Sequence, residues 1–413
     1  MARSSSQRVP IRVFNRASRL LARLRTPDPS FSQDQLLEKA RQGTGLDDFG
    51  DDHFRDGLEE LVRGYNREAL LNPFGRLMVR GELLGILKSR LAVVEGWKRS
   101  PACLEAPVRR PIFVLGLPRT GTTALHDLLA QDPAHQALDY WLAAAPGPRP
   151  EPDRIKSDPR YKTARQFLRV SYYLDPGLRA IHNLTVDDPD ECRHLLQESF
   201  TDDTFDSNAT LPSYTEWYAR QDMRPSYRHH RDVLKLIQST CSERRWVLKY
   251  PAHLRHLEIL LETYPDACIV QTHRDPARVI PSLCSLVTRW RGIYEDEVDP
   301  VQVGNWQLEM WQSRMEHAIA VRAGARPEQF FDIQFHEVVE DPLGVIQRMY
   351  DHFGLDLSDA ARRRMRDWQQ GHPPGQFGQH RYHAEDFGLS ESRMAERFKA
   401  YTDHFEVPLE NAT

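Results

Sequence analysis

The chain has 413 residues, of which 40% are hydrophobic and 28% charged, and its 55 basic residues nearly balance 59 acidic ones. This composition is ordinary for a soluble globular protein with room for one α/β domain with additions, or for two domains. The formal net charge of −4 argues against a general nucleic-acid binder, which would carry a basic excess.

Cysteine usage and hydropathy narrow the class of protein further. The five cysteines form no C-x-x-C pair, which favours a reducing compartment and no structural metal. No apolar run is long enough to span a bilayer and no signal-peptide core follows the amino terminus. We therefore expect a cytoplasmic protein.

The first 27 residues carry seven arginines and no acidic residue. Such a segment is able to make peripheral contact with an anionic membrane or to act as a targeting peptide. A basic helix that lies on the protein's own surface is the favoured interpretation, because such segments are common. The membrane and targeting alternatives stay open.

Helical periodicity dominates the first hundred residues. Ser32 to Gln35 forms a capping box that opens a helix. Apolar residues from Phe54 to Val62 continue at helical spacing until Asn72-Pro73 interrupts the pattern. A second amphipathic stretch, Leu77 to Trp97, leads to a linker that contains two prolines.

The character of the sequence changes after Pro111. Ile112 to Leu115 is a short apolar run typical of a strand buried in a parallel sheet. Gly116 and Gly121 follow with the spacing of a phosphate loop, and a helix then begins at Thr122. A nucleotide triphosphatase would carry lysine where this chain has Thr122, so the ligand of the loop is an open question at this point.

Two similar units come later in the chain. Trp246 to Leu248 predicts a strand that delivers Lys249 at its carboxyl end, with a helix around Leu254 to Leu261. Cys268 to Val270 predicts the next strand, followed by "THRDP" and a further helix. Phe330 to Phe335 is a candidate for one more strand.

Strands that alternate with helices predict a parallel sheet with its ligand at the carboxyl ends of the strands. We therefore expect an α/β protein of the P-loop type, with three layers in which helices flank a central parallel sheet. Residues 106–413 are predicted to form this domain, including a C-terminal segment of helices and loops. Residues 1–105 are predicted to form a helical N-terminal extension packed on it.

The loop after the first strand carries groups that bind an anion. Backbone N–H groups from Arg119 to Thr123, together with the dipole of the following helix, point at such a ligand. The side chains add two hydroxyls and one forked cation. No apolar strand ending in aspartate follows, as a magnesium triphosphate site would require. The loop on its own also fits an ordinary turn with glycines at positive φ, but its context favours an anion bound without metal.

A second anion site is predicted beside the first. Arg274 lies at the end of one strand, and Ser282 follows eight residues later in the next helix. Two such sites at the ends of neighbouring strands fit a nucleotide that carries phosphate at both ends of its ribose. Taken alone, Arg274 with Asp275 also fits a helix-capping ion pair, and Ser282 a solvated helix residue.

Three motifs in this order, "PIFVLGLPRTGTT", "WVLKYPAHL" and "VQTHRDPARVIPSL", resemble those of the sulfotransferase superfamily. The nearest pattern is that of a bacterial branch whose loop reads P-R-T/S-G-T-T. The resemblance covers Ile112 to Leu286, and more loosely the later segment "HRYHAEDFGL". It implies binding of 3′-phosphoadenosine 5′-phosphosulfate (PAPS). It also implies transfer of the sulfuryl group to an acceptor hydroxyl, or less favourably an amine, without a metal.

The resemblance also assigns roles to single positions. The loop residues that would cradle the 5′-phosphosulfate are Arg119, Thr120, Gly121, Thr122 and Thr123. Lys249 would reach the bridging oxygen or the sulfuryl group. Arg274 and Ser282 would hold the 3′-phosphate, and Arg381 lies in a segment that resembles the part closing over the nucleotide.

Several residues compete for the role of general base. Relatives often carry an acidic residue directly after a tryptophan, but Trp141 is followed here by leucine, so that role would shift to Asp139. Glu191 and His182 lie in "AIHNLTVDDPDECRHLL", which resembles the acceptor-side segment of the family. Both rank ahead of Asp139 and His253.

No metal site is predicted from the sequence. His253 and His256 stand three residues apart without a cysteine or carboxylate at ligand spacing, so both are interpreted as surface or core histidines. The sequence as a whole predicts a sulfotransferase with a small or lipid-like hydroxyl acceptor and no nucleic-acid partner. A P-loop kinase or nucleotide hydrolase, and a catalytically idle relative that binds nucleotide, remain as rival interpretations. The oligomeric state is left unassigned.

Overall fold

A computed structural model describes residues 9–22, 30–174, 184–241, 243–372 and 382–410. Five strands form one sheet: β1 (Ile112–Gly116), β2 (His135–Ala137), β3 (Arg245–Lys249), β4 (Cys268–His273) and β5 (Phe330–Gln334). All neighbouring strands are parallel, in the order β2-β3-β1-β4-β5. The predicted α/β class is confirmed, and β1 lies between the strands that carry the two later motifs.

Apolar side chains cover both faces of this sheet. Along β1, Phe113 and Leu115 pack into one hydrophobic cluster, whereas Ile112 and Val114 pack into a second. Successive side chains of a strand point to opposite faces, so each cluster covers one face. Helices contribute to both clusters, which gives the predicted three layers.

Helices are labelled in chain order. Before β1 lie α1 (Val9–Ala22), α2 (Gln33–Thr44), α3 (Phe54–Arg67) and α4 (Pro73–Arg99). Those between β1 and β3 are α5 (Thr122–Leu129), α6 (Tyr140–Ala144), α7 (Pro159–Leu174), α8 (Arg193–Gln197), α9 (Thr204–Asn208), α10 (Pro212–Tyr218) and α11 (Arg224–Ile237). Those between β3 and β5 are α12 (Leu257–Thr263), α13 (Pro276–Tyr294) and α14 (Pro300–Gly324). After β5 come α15 (Phe335–Glu340), α16 (Pro342–Phe353), α17 (Asp359–Gly371), α18 (Glu391–Arg397) and α19 (Lys399–His404).

Helix α2 begins at its predicted cap, whereas α4 begins at Pro73, four residues before the stretch predicted from Leu77. Ser32 Oγ accepts the N–H of Gln35 at the start of α2, with a donor–acceptor distance of 3.4 Å. Asn72 caps the start of α4, because its side chain accepts the N–H of Gly75 at 2.8 Å. Helices α2, α3 and α4 share the hydrophobic cluster that covers one sheet face. The boundary at residue 105 therefore stays a prediction.

Helix α1 lies on the surface of the protein, the arrangement favoured from the sequence. Its Ile11 and Asn15 are buried, and Asn15 Oδ1 accepts the N–H of Phe74 at the start of α4 at 2.8 Å. Arg19 pairs with Asp296. Across the described ranges, no helix combines the length and apolar character needed to cross a bilayer.

Some element boundaries differ from those expected. β4 continues through His273, because its polar residues Gln271 and Thr272 are fully buried beside β1 and β5. The helix expected around Leu254 begins as a 3-10 turn, Pro251–His256, and becomes α12 only at Leu257. β2 was not predicted, since its short sequence lacks the apolar pattern of a strand.

Candidate active site

The parallel order of the strands brings three sequence motifs to one edge of the sheet. β1 ends at Gly116, β3 at Lys249 and β4 at His273. Because β1 lies between β3 and β4, the loop after Gly116 has Lys249 on one side and Arg274 on the other. The loop, Lys249 and Arg274, all assigned to the site from the sequence, thus lie at the carboxyl ends of neighbouring strands.

The loop is shaped by close contact with β4. Gly116 has φ 140°, and a Cβ atom there would lie 2.4 Å from Thr272 Oγ1, so only glycine fits. Thr120 is fully buried, and its hydroxyl donates to the carbonyl of Leu117 at 2.6 Å. Thr120 Oγ1 also lies 2.6 Å from Thr272 Oγ1. The Thr120 hydroxyl therefore holds the shape of the loop from inside.

In contrast to the buried Thr120, the loop also has residues that are exposed to solvent. Arg119 is exposed and adopts φ 68°, and Gly121 follows with φ 87° directly before α5. The first N–H groups of a helix have no partner inside it, and at α5 they belong to Thr122, Thr123 and the next residue. Thr122 is buried and Thr123 exposed. These groups and the Arg119 cation are suited to an anion.

Lys249 meets Glu191 beside the loop. Its Nζ lies 2.6 Å from Glu191 Oε1 and donates to Thr123 Oγ1 at 3.5 Å. The Lys249 side chain is only 4% exposed, so the pair is largely screened from water. Burial would raise the pKa of the Glu191 carboxyl, but Lys249 and then Arg193 outweigh it and lower that pKa below its ordinary value.

Asp127 is a neighbour of this pair that the sequence analysis missed. Burial raises the pKa of its carboxyl to about 7, opposed by Lys249 and assisted by Asp188 and Asp190. Asp127 lies one turn after Thr123 on α5, and residues four apart share a helix face. That spacing was the signal in the sequence that could have identified it.

Arg274 contacts the loop and an acidic partner at the same time. Its Nη1 donates to the carbonyl of Arg119 at 3.1 Å. Its Nε and Nη2 donate to the two carboxylate oxygens of Glu410 at 2.7 and 3.0 Å. The guanidinium also lies over the ring of Phe335, 3.8 Å from its centroid. Arg274 is therefore held in a forked geometry of the kind that binds carboxylate or phosphate.

Glu410 was not expected at this site, and several bonds hold it there. Its N–H donates to Asp275 Oδ2 at 2.9 Å, and its carbonyl accepts from Arg278 Nη2 at 2.6 Å. A cleft of about 220 Å³ lies beside it, lined by His273, Arg274, Asp275, Phe335, His336, Val339, Glu340, Pro408 and Glu410. The C-terminal segment thus places a carboxylate on the arginine assigned to a phosphate. Ser282 lies half-buried in α13.

The other residues proposed from the sequence have different surroundings. His182 and Arg381 lie outside the described residues, and their roles stay predictions. Asp139 pairs with Arg149, whose Nη1 donates to Oδ2 at 2.6 Å. Burial raises the pKa of Asp139 while Arg149 opposes the shift. His253 is fully buried, with Nδ1 2.7 Å from the hydroxyl of Tyr227.

Comparison with known proteins points to the same family as the sequence motifs do. The family model described as the sulfotransferase family matches residues 111–359. The crystal structure of the sulfotransferase STF1 from Mycobacterium tuberculosis H37Rv is 39% identical, with a TM-score of 0.83 over 90% of this chain and 99% of that one. The sulfotransferase STF9 from Mycobacterium avium is 31% identical, with a TM-score of 0.85 over 92% and 98%.

A more distant relative is named for its acceptor. The omega-hydroxy-beta-dihydromenaquinone-9 sulfotransferase Stf3 of Mycobacterium bovis is 26% identical over 278 residues. The match covers 63% of this chain and 67% of the relative. The similarity therefore extends beyond the phosphate loop to most of both chains.

Proposed function

Because the chain belongs to the sulfotransferase family, we propose that it transfers the sulfuryl group of PAPS to a hydroxyl of a small, lipid-like acceptor. One observation carries the proposal: the phosphate loop, Lys249 and Arg274 converge at one edge of the sheet. Lys249 reaches Thr123 at 3.5 Å and Arg274 reaches the carbonyl of Arg119 at 3.1 Å. The groups that we propose to bind the anion thus lie on both sides of one loop.

Two anchors would hold the two phosphorylated ends of the donor. The N–H groups and hydroxyls at the start of α5, with Arg119, would bind the 5′-phosphosulfate. Arg274 and Ser282 would bind the 3′-phosphate, with Arg381 closing over the nucleotide as the family resemblance implies. The forked contact between Arg274 and Glu410 supports this assignment, because a phosphate uses the same donors as a carboxylate.

The transfer itself is an in-line displacement at sulfur. The acceptor oxygen forms a bond to sulfur while the bond from sulfur to the 5′-phosphate oxygen breaks. The departing electron pair stays on adenosine 3′,5′-bisphosphate. Lys249, held beside Thr123, stabilises the charge that develops on this leaving oxygen, as preorganised cations do in phosphoryl transfer.

Glu191 is the residue that we propose as general base. Its carboxylate contacts Lys249 Nζ at 2.6 Å, and its lowered pKa keeps it ionised at neutral pH. It would take the acceptor proton as the sulfur–oxygen bond forms. Asp127, with a pKa of about 7, is the competing candidate within the described residues. His182 is a further candidate on the family resemblance alone.

Two observations support a lipid-like acceptor. The relative Stf3 is named for a menaquinone derivative that carries a hydroxyl. Helix α7 exposes Phe167, Val170 and Tyr173, with Tyr173 85% exposed. The same helix is bonded to the segment leading to Glu191, since the Tyr172 hydroxyl donates to the carbonyl of Leu184 at 2.9 Å. An exposed apolar surface thus lies on a helix that is hydrogen-bonded to the segment preceding the proposed base.

The test combines donor binding with product identification. Purified protein is incubated with isotopically labelled PAPS and pools of lipid alcohols, and products are identified by mass spectrometry. We expect transfer in the wild type and none in Lys249→Ala, which retains binding of adenosine 3′,5′-bisphosphate in the presence of EDTA. Lys39→Ala, at an exposed position of α2, is the matched control and should keep full activity.

Two results would favour the rival interpretations instead. Magnesium-dependent binding of ATP, without binding of adenosine 3′,5′-bisphosphate, would indicate a kinase or nucleotide hydrolase. Binding of the bisphosphate with neither transfer from PAPS nor its hydrolysis would indicate an idle relative.

A further inference from the structure

We propose that Cys192, His230 and His253 form a buried site for one Zn²⁺ ion. The Cys192 sulfur and one ring nitrogen of each histidine all lie within 4.8 Å of one another. Each of the three residues has no exposed surface. They come from three elements: the residue before α8, the first half of α11 and the 3-10 turn after β3. A thiolate and two imidazoles are ligands that Zn²⁺ prefers.

Two buried nitrogens in this cluster lack a partner. Among the described residues, neither His230 Nε2 nor His253 Nε2 has a hydrogen-bond partner. The other nitrogen of each ring is engaged: His230 Nδ1 lies 2.7 Å from the hydroxyl of Tyr264, and His253 Nδ1 lies 2.7 Å from that of Tyr227. Buried polar atoms are nearly always paired, so two orphaned nitrogens in one cluster point to a ligand between them.

The tyrosines arrange the histidines as metal ligands. A histidine that binds a metal usually donates its second N–H to an oxygen, which selects the tautomer and fixes the ring. The hydroxyls of Tyr227 and Tyr264 are placed to accept such bonds from Nδ1. The lone pair of each Nε2 is then free for the ion. Each histidine thus has its own tyrosine hydroxyl at Nδ1. A hydrogen-bonded network without a metal would not require this arrangement.

A network without an ion satisfies these groups poorly. The thiol of Cys192 is only a weak donor and a weak acceptor, and it has one proton to share between two imidazoles. A tetrahedral Zn²⁺ ion holds sulfur and nitrogen ligands roughly 3.3–3.6 Å apart. The longest distance between two of these ligand atoms therefore needs to shorten by on the order of 1 Å. Small side-chain rotations can supply this change.

The proposed ion would tie together segments that carry site residues. Cys192 directly follows Glu191, and its N–H donates to the carbonyl of Lys249 at 3.1 Å. His253 lies four residues after Lys249. Zn²⁺ would fasten both segments to α11 and so position the Lys249–Glu191 pair. The inference does not rest on the proposed function, because metal content is measured independently of any reaction.

The first test measures the metal in the full chain. The protein is expressed with added zinc, purified with a reductant and without chelator, and analysed by mass spectrometry of its metals. We expect one zinc per chain, and at least tenfold less in Cys192→Ser and His253→Asn. His256→Asn is the matched control, because His256 is buried in the same turn but bonded to Tyr218 at 3.0 Å. Cys284→Ser, at another buried cysteine, controls for general thiol binding.

A second test does not depend on the folding of ligand variants. The wild-type chain grown with cobalt instead of zinc should show the thiolate-to-Co²⁺ charge-transfer absorption. Tyr264→Phe removes only the hydroxyl that pairs with His230 Nδ1. This variant should bind zinc about tenfold or more weakly. The proposal is overturned by zinc far below one per chain together with absent thiolate–cobalt absorption. It is equally overturned if His256→Asn loses zinc as fully as His253→Asn does, or if copper alone is bound.

Discussion

Removing the charge of Glu410 should strengthen donor binding. Its carboxylate accepts two hydrogen bonds from Arg274, at 2.7 and 3.0 Å. If Arg274 binds the 3′-phosphate, the carboxylate and the phosphate compete for the same guanidinium. In Glu410→Gln the competing anion is neutral, while the side chain keeps its shape. We therefore expect adenosine 3′,5′-bisphosphate to bind more tightly to this variant.

The size of the effect follows from the exposure of the ion pair. The side chains of Arg274 and Glu410 are 23% and 35% exposed, so solvent screens the pair considerably. Pairs of this kind contribute about 0.5–1 kcal/mol, which corresponds to an affinity gain of about twofold to fivefold. At ~1 M salt the difference should shrink, because the screening length falls to about 3 Å.

Isothermal titration calorimetry with adenosine 3′,5′-bisphosphate measures the change directly. Glu396→Gln removes one negative charge from the exposed surface of α18 and serves as the matched control, with unchanged affinity expected. The double variant Arg274→Ala, Glu410→Gln should bind no better than Arg274→Ala, since the competition needs the guanidinium. An unaltered dissociation constant in Glu410→Gln, or an equal gain in both backgrounds, would refute the competition.

Arg274→Ala by itself should weaken binding of the bisphosphate at least about tenfold, because a forked, charge-assisted contact is lost, while circular dichroism shows an intact fold; unchanged affinity would contradict its role. With Glu191 as base, the rate should stay level until the pH falls below about 4.5, since its pKa is lowered. A rate that already declines as the pH falls below about 7 would assign the proton to Asp127 instead. In that case Asp127→Asn should lose activity and Glu191→Gln should retain it. Gly116→Ala should destabilise the fold by about 2–4 kcal/mol, because its Cβ would lie 2.4 Å from Thr272 Oγ1. In the control Gly81→Ala the Cβ meets open space on α4, and chemical denaturation should show a gain of about 0.5–1 kcal/mol.

Four of the five strands and the glycine loop after β1 could be predicted because their signals are local. The apolar run from Ile112 to Leu115, the glycine spacing and the helix that follows all lie within about twenty residues. Lys249 could be placed for the same reason, since it ends a short apolar strand, and Arg274 follows the apolar run from Cys268 to Val270 by only four residues. Parallel pairing then brings such strand ends together without further information from the sequence.

Contacts between distant segments could not be predicted in this way. Glu410 and Arg274 are 136 positions apart in the sequence, and no local pattern near either residue predicts that they pair. His253 was interpreted as a surface or core residue because no cysteine stood near it in sequence. Its cysteine neighbour, Cys192, comes from the segment before α8, and the Cys192 N–H donates to the carbonyl of Lys249 at the end of β3. Pairing of this kind depends on tertiary packing, which composition and periodicity do not encode.

The contact between Gly116 and Thr272 has a consequence for engineering. Loop and adjacent strand are complementary surfaces, with the Thr120 hydroxyl 2.6 Å from that of Thr272. A loop transplanted from another nucleotide-binding protein would meet the wrong neighbour unless position 272 were exchanged with it. Libraries aimed at altered donor choice should therefore randomise the two segments jointly.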